Sequence, residues 1–187
     1  GLQEVDNHFG ARSNFTDEAA WLASSLHMHY CYGANLDLNP LEPGQARRQY
    51  GTAVLSRLPI LSCHNTLLPK TVATNEQRGL LDTVVNVKGV PVRVYNTHLQ
   101  PNANDRTVQV QAIMEQIGHQ QGPLVLMGDL NATPTASELG APLCRSDGRL
   151  AGSRIGRRLQ LPGCEPARPH RRHLRLPGSG VGIGSGE

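Results

Sequence analysis

Short apolar runs, each closed by a polar or turn residue, recur along the first 140 positions. Thr16-Asp17-Glu18 opens a helical signal: a capping hydroxyl, then two acids at the positive end of the helix dipole. Trp21, Leu22 and Leu26 follow among small residues, which predicts a helix over about 16–27. His29-Tyr30-Cys31-Tyr32-Gly33 reads as a strand, and residues 34–49, rich in Asn, Pro and Gly, read as a long loop. Gly51 to Ser56 is a short apolar run closed by Leu58-Pro59. Thr83–Val87 and Val90–Asn96 flank Lys88-Gly89 as a β-hairpin. Residues 104–118 carry Val108, Ala112 and Ile117 near one helical face, with Arg106 and Gln109 beside it, and Gly122-Pro123 breaks that helix. Leu124-Val125-Leu126-Met127 is apolar throughout, the pattern of a strand buried on both faces, and it exits into Gly128-Asp129-Leu130-Asn131.

Strands and helices do not alternate regularly, and neighbouring strands read as antiparallel. This favours packed sheets with helices outside over a Rossmann fold. The glycines form no phosphate loop, there is no Gly-x-Ser-x-Gly elbow, and no internal repeat is present. No apolar run approaches the roughly 20 residues of a membrane span, so stable membrane insertion is not expected.

Composition divides the chain. Of its 187 residues, 1–140 hold 9 Lys and Arg against 12 Asp and Glu, while 141–187 hold 9 Arg against 3 acids. All seven aromatic residues precede position 96, and the last 47 residues include 9 Gly and 5 Pro. A domain over 1–140 is therefore expected, followed by a tail over 141–187 that is disordered or the product of a frameshift. The positive net charge belongs to that tail, and the acidic balance before it argues against a nuclease that tracks along DNA. Cys31, Cys63, Cys144 and Cys164 show no close metal-type spacing, which argues against a zinc ribbon or a disulfide-stapled miniprotein. The sequence opens Gly1-Leu2-Gln3 without an initiating Met and reads as a fragment entered in mid-strand.

Candidate chemistry gathers where apolar strands end. Glu4 follows Gly1-Leu2-Gln3, His98 follows Val92 to Thr97, and Asp129 and Asn131 follow Leu124 to Gly128. Two carboxylates, an amide and an imidazole form a coherent set. Oxygen ligands favour Mg²⁺ or Mn²⁺ over zinc, and a metal beside an Asp and a His suits attack of water on phosphorus.

Six segments then appear in order: Leu2-Gln3-Glu4-Val5, Gly51 to Ile60, Glu76-Gln77-Arg78-Gly79, Asn96-Thr97-His98-Leu99, Arg106 with Gln109, and Gly128-Asp129-Leu130-Asn131-Ala132. Together they resemble the endonuclease/exonuclease/phosphatase superfamily, with the deoxyribonuclease-I-like fold. The resemblance implies an α+β fold, a four-layer α/β/β/α sandwich, and metal-dependent hydrolysis of phosphoesters with Mg²⁺ or Mn²⁺. It implies Glu4 as metal ligand, Asp129 as the group that activates or orients water, Asn131 as its support and a phosphate contact, and His98 as a hydrogen-bond partner of the scissile phosphate. Glu76 and Arg78 read as an ion pair beside the site, or with Arg78 on substrate phosphate, or simply as a solvated pair, and Arg106 and Gln109 as a brace. A small phosphodiester, phospholipid head group or inositol phosphate is favoured over nucleic acid, acted on by a monomer. Two family pieces are not found in this sequence: a first strand delivering an Asn, and a closing Ser-Asp-His loop. The second reading is accordingly a non-catalytic, truncated or frameshifted member, and impaired activity is expected of the chain as given.

Overall fold

Alternating burial along extended segments needs a sheet face to bury against, and two sheets supply it here. In the computed structural model, residues 1–133 and 135–139 are described; the expected tail, 141–187, lies outside the described residues. The strands are β1 (Leu2–Asn7), β2 (His29–Leu38), β3 (Arg48–Ser56), β4 (Ile60–Leu67), β5 (Gly79–Val87), β6 (Val90–His98) and β7 (Leu124–Asp129). Two helices accompany them, α1 (Glu18–Leu26) and α2 (Ala103–Gly118). One sheet runs β1-β3-β2 and the other β4-β5-β6-β7.

Apolar clusters define the layers. Ala19 of α1 packs on Val5 and Ala53 of the first sheet. Cys31, Val54 and Leu81 fill the space between the sheets. Val110 and Ile113 of α2 cover Leu80, Tyr95 and Leu99 on the outer face of the second sheet. The order is helix, sheet, sheet, helix: an α+β, four-layer sandwich. Polar and covalent links also cross between the sheets. Asn96 donates from its side chain to the carbonyls of Leu2 (2.9 Å) and Ala53 (3.0 Å), and Cys31 on β2 is disulfide-bonded to Cys63 on β4.

Several boundaries differ from the sequence reading. The first helix begins at Glu18, and its cap is Asp17, whose carboxylate accepts from Ala20 N–H at 2.9 Å; Thr16 stays outside. Residues 34–49 are not one long loop: β2 continues to Leu38 and β3 starts at Arg48, because Leu36, Asp37 and Leu38 find partners in Tyr50, Gln49 and Arg48. Strand β4 carries no periodic signal since most of it is exposed; pairing with β5 makes it a strand. The buried stripe of α2 is Arg106, Gln109, Val110 and Ile113, so the polar residues face inward and Val108, Ala112 and Ile117 flank them. Nor is β7 buried on both faces. Among the described residues it pairs with β6 alone, and Val125 is 44% exposed. Finally, β6 and β7 are parallel, not antiparallel, because α2 carries the chain back across the sheet between them.

Candidate active site

The elements deliver polar side chains to one end of the sandwich. On β6 and β7 the parallel register sets His98 opposite Asp129. Gly128, the residue before Asp129, has φ +146°, and a Cβ there would meet the Thr97 carbonyl oxygen at 1.9 Å. Glycine is required at that point for the strand to close on β6 and present the acid. His98 is buried and Asp129 exposed, with Nε2 and Oδ2 3.9 Å apart. That gap is too long for a hydrogen bond.

Asn131 completes this corner. It adopts a left-handed φ of +48°, which asparagine tolerates well. Its backbone N–H donates to Asp129 Oδ1 at 2.8 Å, and its side-chain amide donates to the Leu99 carbonyl at 2.8 Å. The first bond fixes the Asp129 rotamer, and the second ties the β7 exit to the residue after His98.

Glu4 arrives from the other sheet. In β1 the register with β3 shifts between Leu2 and Val5: three steps along β1 match two along β3, a β-bulge. Glu4 sits within it at φ +58°, a left-handed conformation that costs a non-glycine residue about 1–2 kcal/mol. The bulge holds the Glu4 carboxylate exposed on the rim, with Arg12 Nη1 3.9 Å away. Arg12 mainly serves Asp6, which is fully buried beneath it and accepts from Nη2 at 2.7 Å. Burial alone would raise the Asp6 carboxyl, but the hydrogen bonds from Arg12 and Ser13 outweigh it and hold the acid below its ordinary range.

On the His98 side, Arg78 is buried and its Nη1 serves two partners: Glu76 Oε1 at 2.7 Å and His98 Nδ1 at 2.9 Å. Burial, and then the Arg78 charge, push the His98 imidazolium pKa down, against weaker raising effects of Asp129, Glu4 and Glu76. Arg78 at 2.9 Å from Nδ1 and Asp129 at 3.9 Å from Nε2 flank the two sides of the ring. Arg78 Nε is buried without a hydrogen-bond partner among the described residues.

The helix residues support this wall. Gln109 Oε1 accepts from Gln100 N–H at 3.0 Å, and Arg106 Nη1 donates to the Gln100 carbonyl at 3.3 Å, holding the segment just after His98. Gln100 in turn donates from its side chain to the Glu76 carbonyl. Arg106 is itself paired with Glu138. Asp105 gathers the loop that carries Glu76: it accepts from Thr71 and Asn75, and from Asn102, the residue capping α2.

Sequence reasoning missed Tyr50, Arg12, Asp6 and Gln100. Tyr50 is buried at the β3 end, 5.4 Å from the Arg12 guanidinium. Burial, then the charges of Glu76 and Glu4, push its phenol up. Tyr50-Gly51 adjoins the quoted Gly51–Ile60 segment, and no periodic signal marked it as a site residue.

For a divalent cation the donor set is sparse. Among the described residues, no three His, Cys, Asp or Glu side chains are close enough to share one ion. Mg²⁺ is commonly held by one or two carboxylates together with substrate phosphates. Glu4, an exposed carboxylate fixed by a bulge, fits that mode as a single protein ligand.

Comparison with known proteins places the chain. It belongs to the endonuclease/exonuclease/phosphatase family, whose model matches residues 1–179. No curated protein matches the sequence. Among solved structures, the human Nocturnin catalytic domain with bound sulfate anion is 21% identical with a TM-score of 0.54, covering 78% of this chain and 55% of that one. An endonuclease/exonuclease/phosphatase from Beutenbergia cavernae is 23% identical with a TM-score of 0.53, covering 71% of this chain and 38% of that one. A family protein from Bacteroides thetaiotaomicron is 15% identical with a TM-score of 0.52, covering 67% of this chain and 48% of that one. The chain thus spans about half the length of these structures or less, and at such identities the likeness shows the fold. No helix among the described residues is long and apolar enough to cross a membrane.

Proposed function

We propose that this member of the endonuclease/exonuclease/phosphatase family is a phosphoester hydrolase that uses an Asp129-oriented water. The observation that carries this reading is the strand-end pair: His98 and Asp129 in register on adjacent parallel strands, 3.9 Å apart, with Asn131 N–H on the second oxygen of Asp129. A cleft between an imidazole and a fixed, exposed carboxylate suits a water on one side and a phosphoryl oxygen on the other.

Asp129 takes up hydrogen-bond donation from the attacking water and directs its lone pair at phosphorus. Asn131 keeps that carboxylate in one rotamer and offers its amide near the phosphate. His98 donates to a phosphoryl oxygen as negative charge grows there. Water adds to phosphorus and gives its proton to the Asp129 carboxylate, the ester oxygen leaves with the bonding pair, and a proton from solvent neutralises it while Asp129 returns its own to solvent. Mg²⁺ or Mn²⁺, held by Glu4, would neutralise phosphate charge when bound. Glu76 and Arg78 support His98. Small phosphodiesters, phospholipid head groups or inositol phosphates are the favoured substrates, because residues 1–140 hold 12 acids against 9 Lys and Arg. The protein acts as a monomer.

Hydrolysis of bis-p-nitrophenyl phosphate tests the reading. Turnover should require Mg²⁺ or Mn²⁺, stop in EDTA, and fall about 10²–10⁴-fold in Asp129→Ala. EDTA-resistant turnover would remove the metal role of Glu4. Metal-dependent turnover that survives Asp129→Ala would remove the oriented-water role.

A further inference from the structure

We infer that Arg78 is a positioning residue that locks His98 in the Nε2–H tautomer, so that the imidazole presents a hydrogen-bond donor, and not a lone pair, to the cleft beside Asp129. Arginine carries five N–H donors, no acceptor, and does not lose its charge. A 2.9 Å contact between Arg78 Nη1 and His98 Nδ1 is a hydrogen bond only if Nδ1 accepts. A neutral imidazole with an accepting Nδ1 carries its proton on Nε2. It is Nε2 that faces the Asp129 carboxylate across the 3.9 Å gap.

The guanidinium is itself held in place. Glu76 Oε1 forms an ion pair with Nη1 at 2.7 Å, the Arg78 carbonyl accepts from Leu68 N–H at 2.8 Å, and Gln100 holds the Glu76 carbonyl. Arg78 is buried, so its donors cannot turn to bulk water, and the fixed charge beside Nδ1 opposes a proton there. An imidazole left free could instead turn a proton-bearing Nδ1 inward and a bare Nε2 lone pair toward the anion, which would repel a phosphoryl oxygen.

The tautomer stands on geometry alone; its catalytic consequence rests on the phosphoester-hydrolase reading. The test is ¹⁵N-histidine NMR on the metal-free chain, with the His98 signals assigned by their loss in His98→Asn. In the unsubstituted protein, Nδ1 should show a pyridine-type shift and Nε2 a pyrrole-type shift. Arg78→Met should move both toward the averaged values of a mobile neutral histidine, and Arg78→Lys, which keeps a cationic donor, should restore the separation. With bis-p-nitrophenyl phosphate, Arg78→Met should lower kcat about 10-fold to 100-fold with KM nearly unchanged, less than the roughly 10²–10³-fold of losing a transition-state donor outright. A pyrrole-type Nδ1 in the unsubstituted protein overturns the lock, and needs no variant to fold. So does a separation that persists in folded Arg78→Met. Pyridine-type Nδ1 in a protein without turnover would keep the lock and remove the hydrolase reading; pyrrole-type Nδ1 in an active protein would do the reverse.

Discussion

Cutting the covalent tie between the two sheets should cost a large share of the stability. Cys31 lies buried on β2 and Cys63 on the exposed strand β4, and the bridge joins positions 32 residues apart. In the chain-entropy description, closing a loop of that size removes about 12 cal/mol/K from the unfolded chain, or roughly 3–4 kcal/mol at 25 °C. Small domains have about 5–15 kcal/mol in all. Cys63→Ser is the cleaner substitution, since Cys63 is exposed and its loss opens no cavity, whereas Cys31 packs with Val54 and Leu81. Urea unfolding followed by far-UV circular dichroism should show a fall of roughly 3–4 kcal/mol. Cys144 and Cys164 would be replaced by Ser in both proteins to prevent exchange. The native fold should survive, because the Asn96 bonds to Leu2 and Ala53 still join the sheets nearer the site. Near-identical unfolding midpoints, with intact-mass analysis confirming the bridge in the parent, would refute the entropic reasoning. Two free thiols in the oxidised protein would refute the inter-sheet packing of β2 on β4.

Two further outcomes follow from local chemistry. Glu4→Gly should relieve the left-handed strain, about 1–2 kcal/mol, against a glycine entropy cost of about 0.5–1 kcal/mol. The variant should therefore unfold at slightly higher urea while losing metal-stimulated turnover; a variant that is markedly less stable would remove the strain argument. Asp105 is held well below the ordinary carboxyl range by hydrogen bonds from Asn102 and Thr71. A depressed folded-state value means its contribution is complete above the unfolded carboxyl pKa of about 4 and is lost as pH falls below it. Urea midpoints between about pH 5 and pH 2 should fall less steeply in Asp105→Asn than in the parent, and parallel curves would contradict the assignment.

The ordered motifs made the family and the sandwich legible, and the strand-end rule selected His98, Asp129 and Asn131; Glu4, also read as a strand end, instead lies inside β1, where the bulge exposes it. These are local properties: an apolar run ending in a polar group reads the same in one dimension as in three. Hairpin β5–β6 and helix α2 were legible for the same reason, since turn chemistry at Lys88-Gly89 and helical periodicity act over a few residues. What escaped the reading depends on partners distant along the chain. Strand β4 exists because β5 offers it hydrogen bonds, and β7 shows an exposed Val125 because of the face on which it lies. The polar face of α2 turns inward because Gln100 and Glu138 wait there to satisfy Arg106 and Gln109, a pairing across 32 residues for Glu138.

The sequence by itself supplied the candidate side chains, because residue type and, for His98 and Asp129, the strand ends that present them are written locally. Only the tertiary structure decided their states. It joined Cys31 to Cys63 across two sheets, folded a bulge that holds Glu4 at positive φ, and buried Arg78 against His98. Each of these depends on desolvation and contact between segments that sequence distance separates. Nothing in Glu76-Gln77-Arg78 or Asn96-Thr97-His98 alone reveals that one guanidinium dictates where the imidazole keeps its proton.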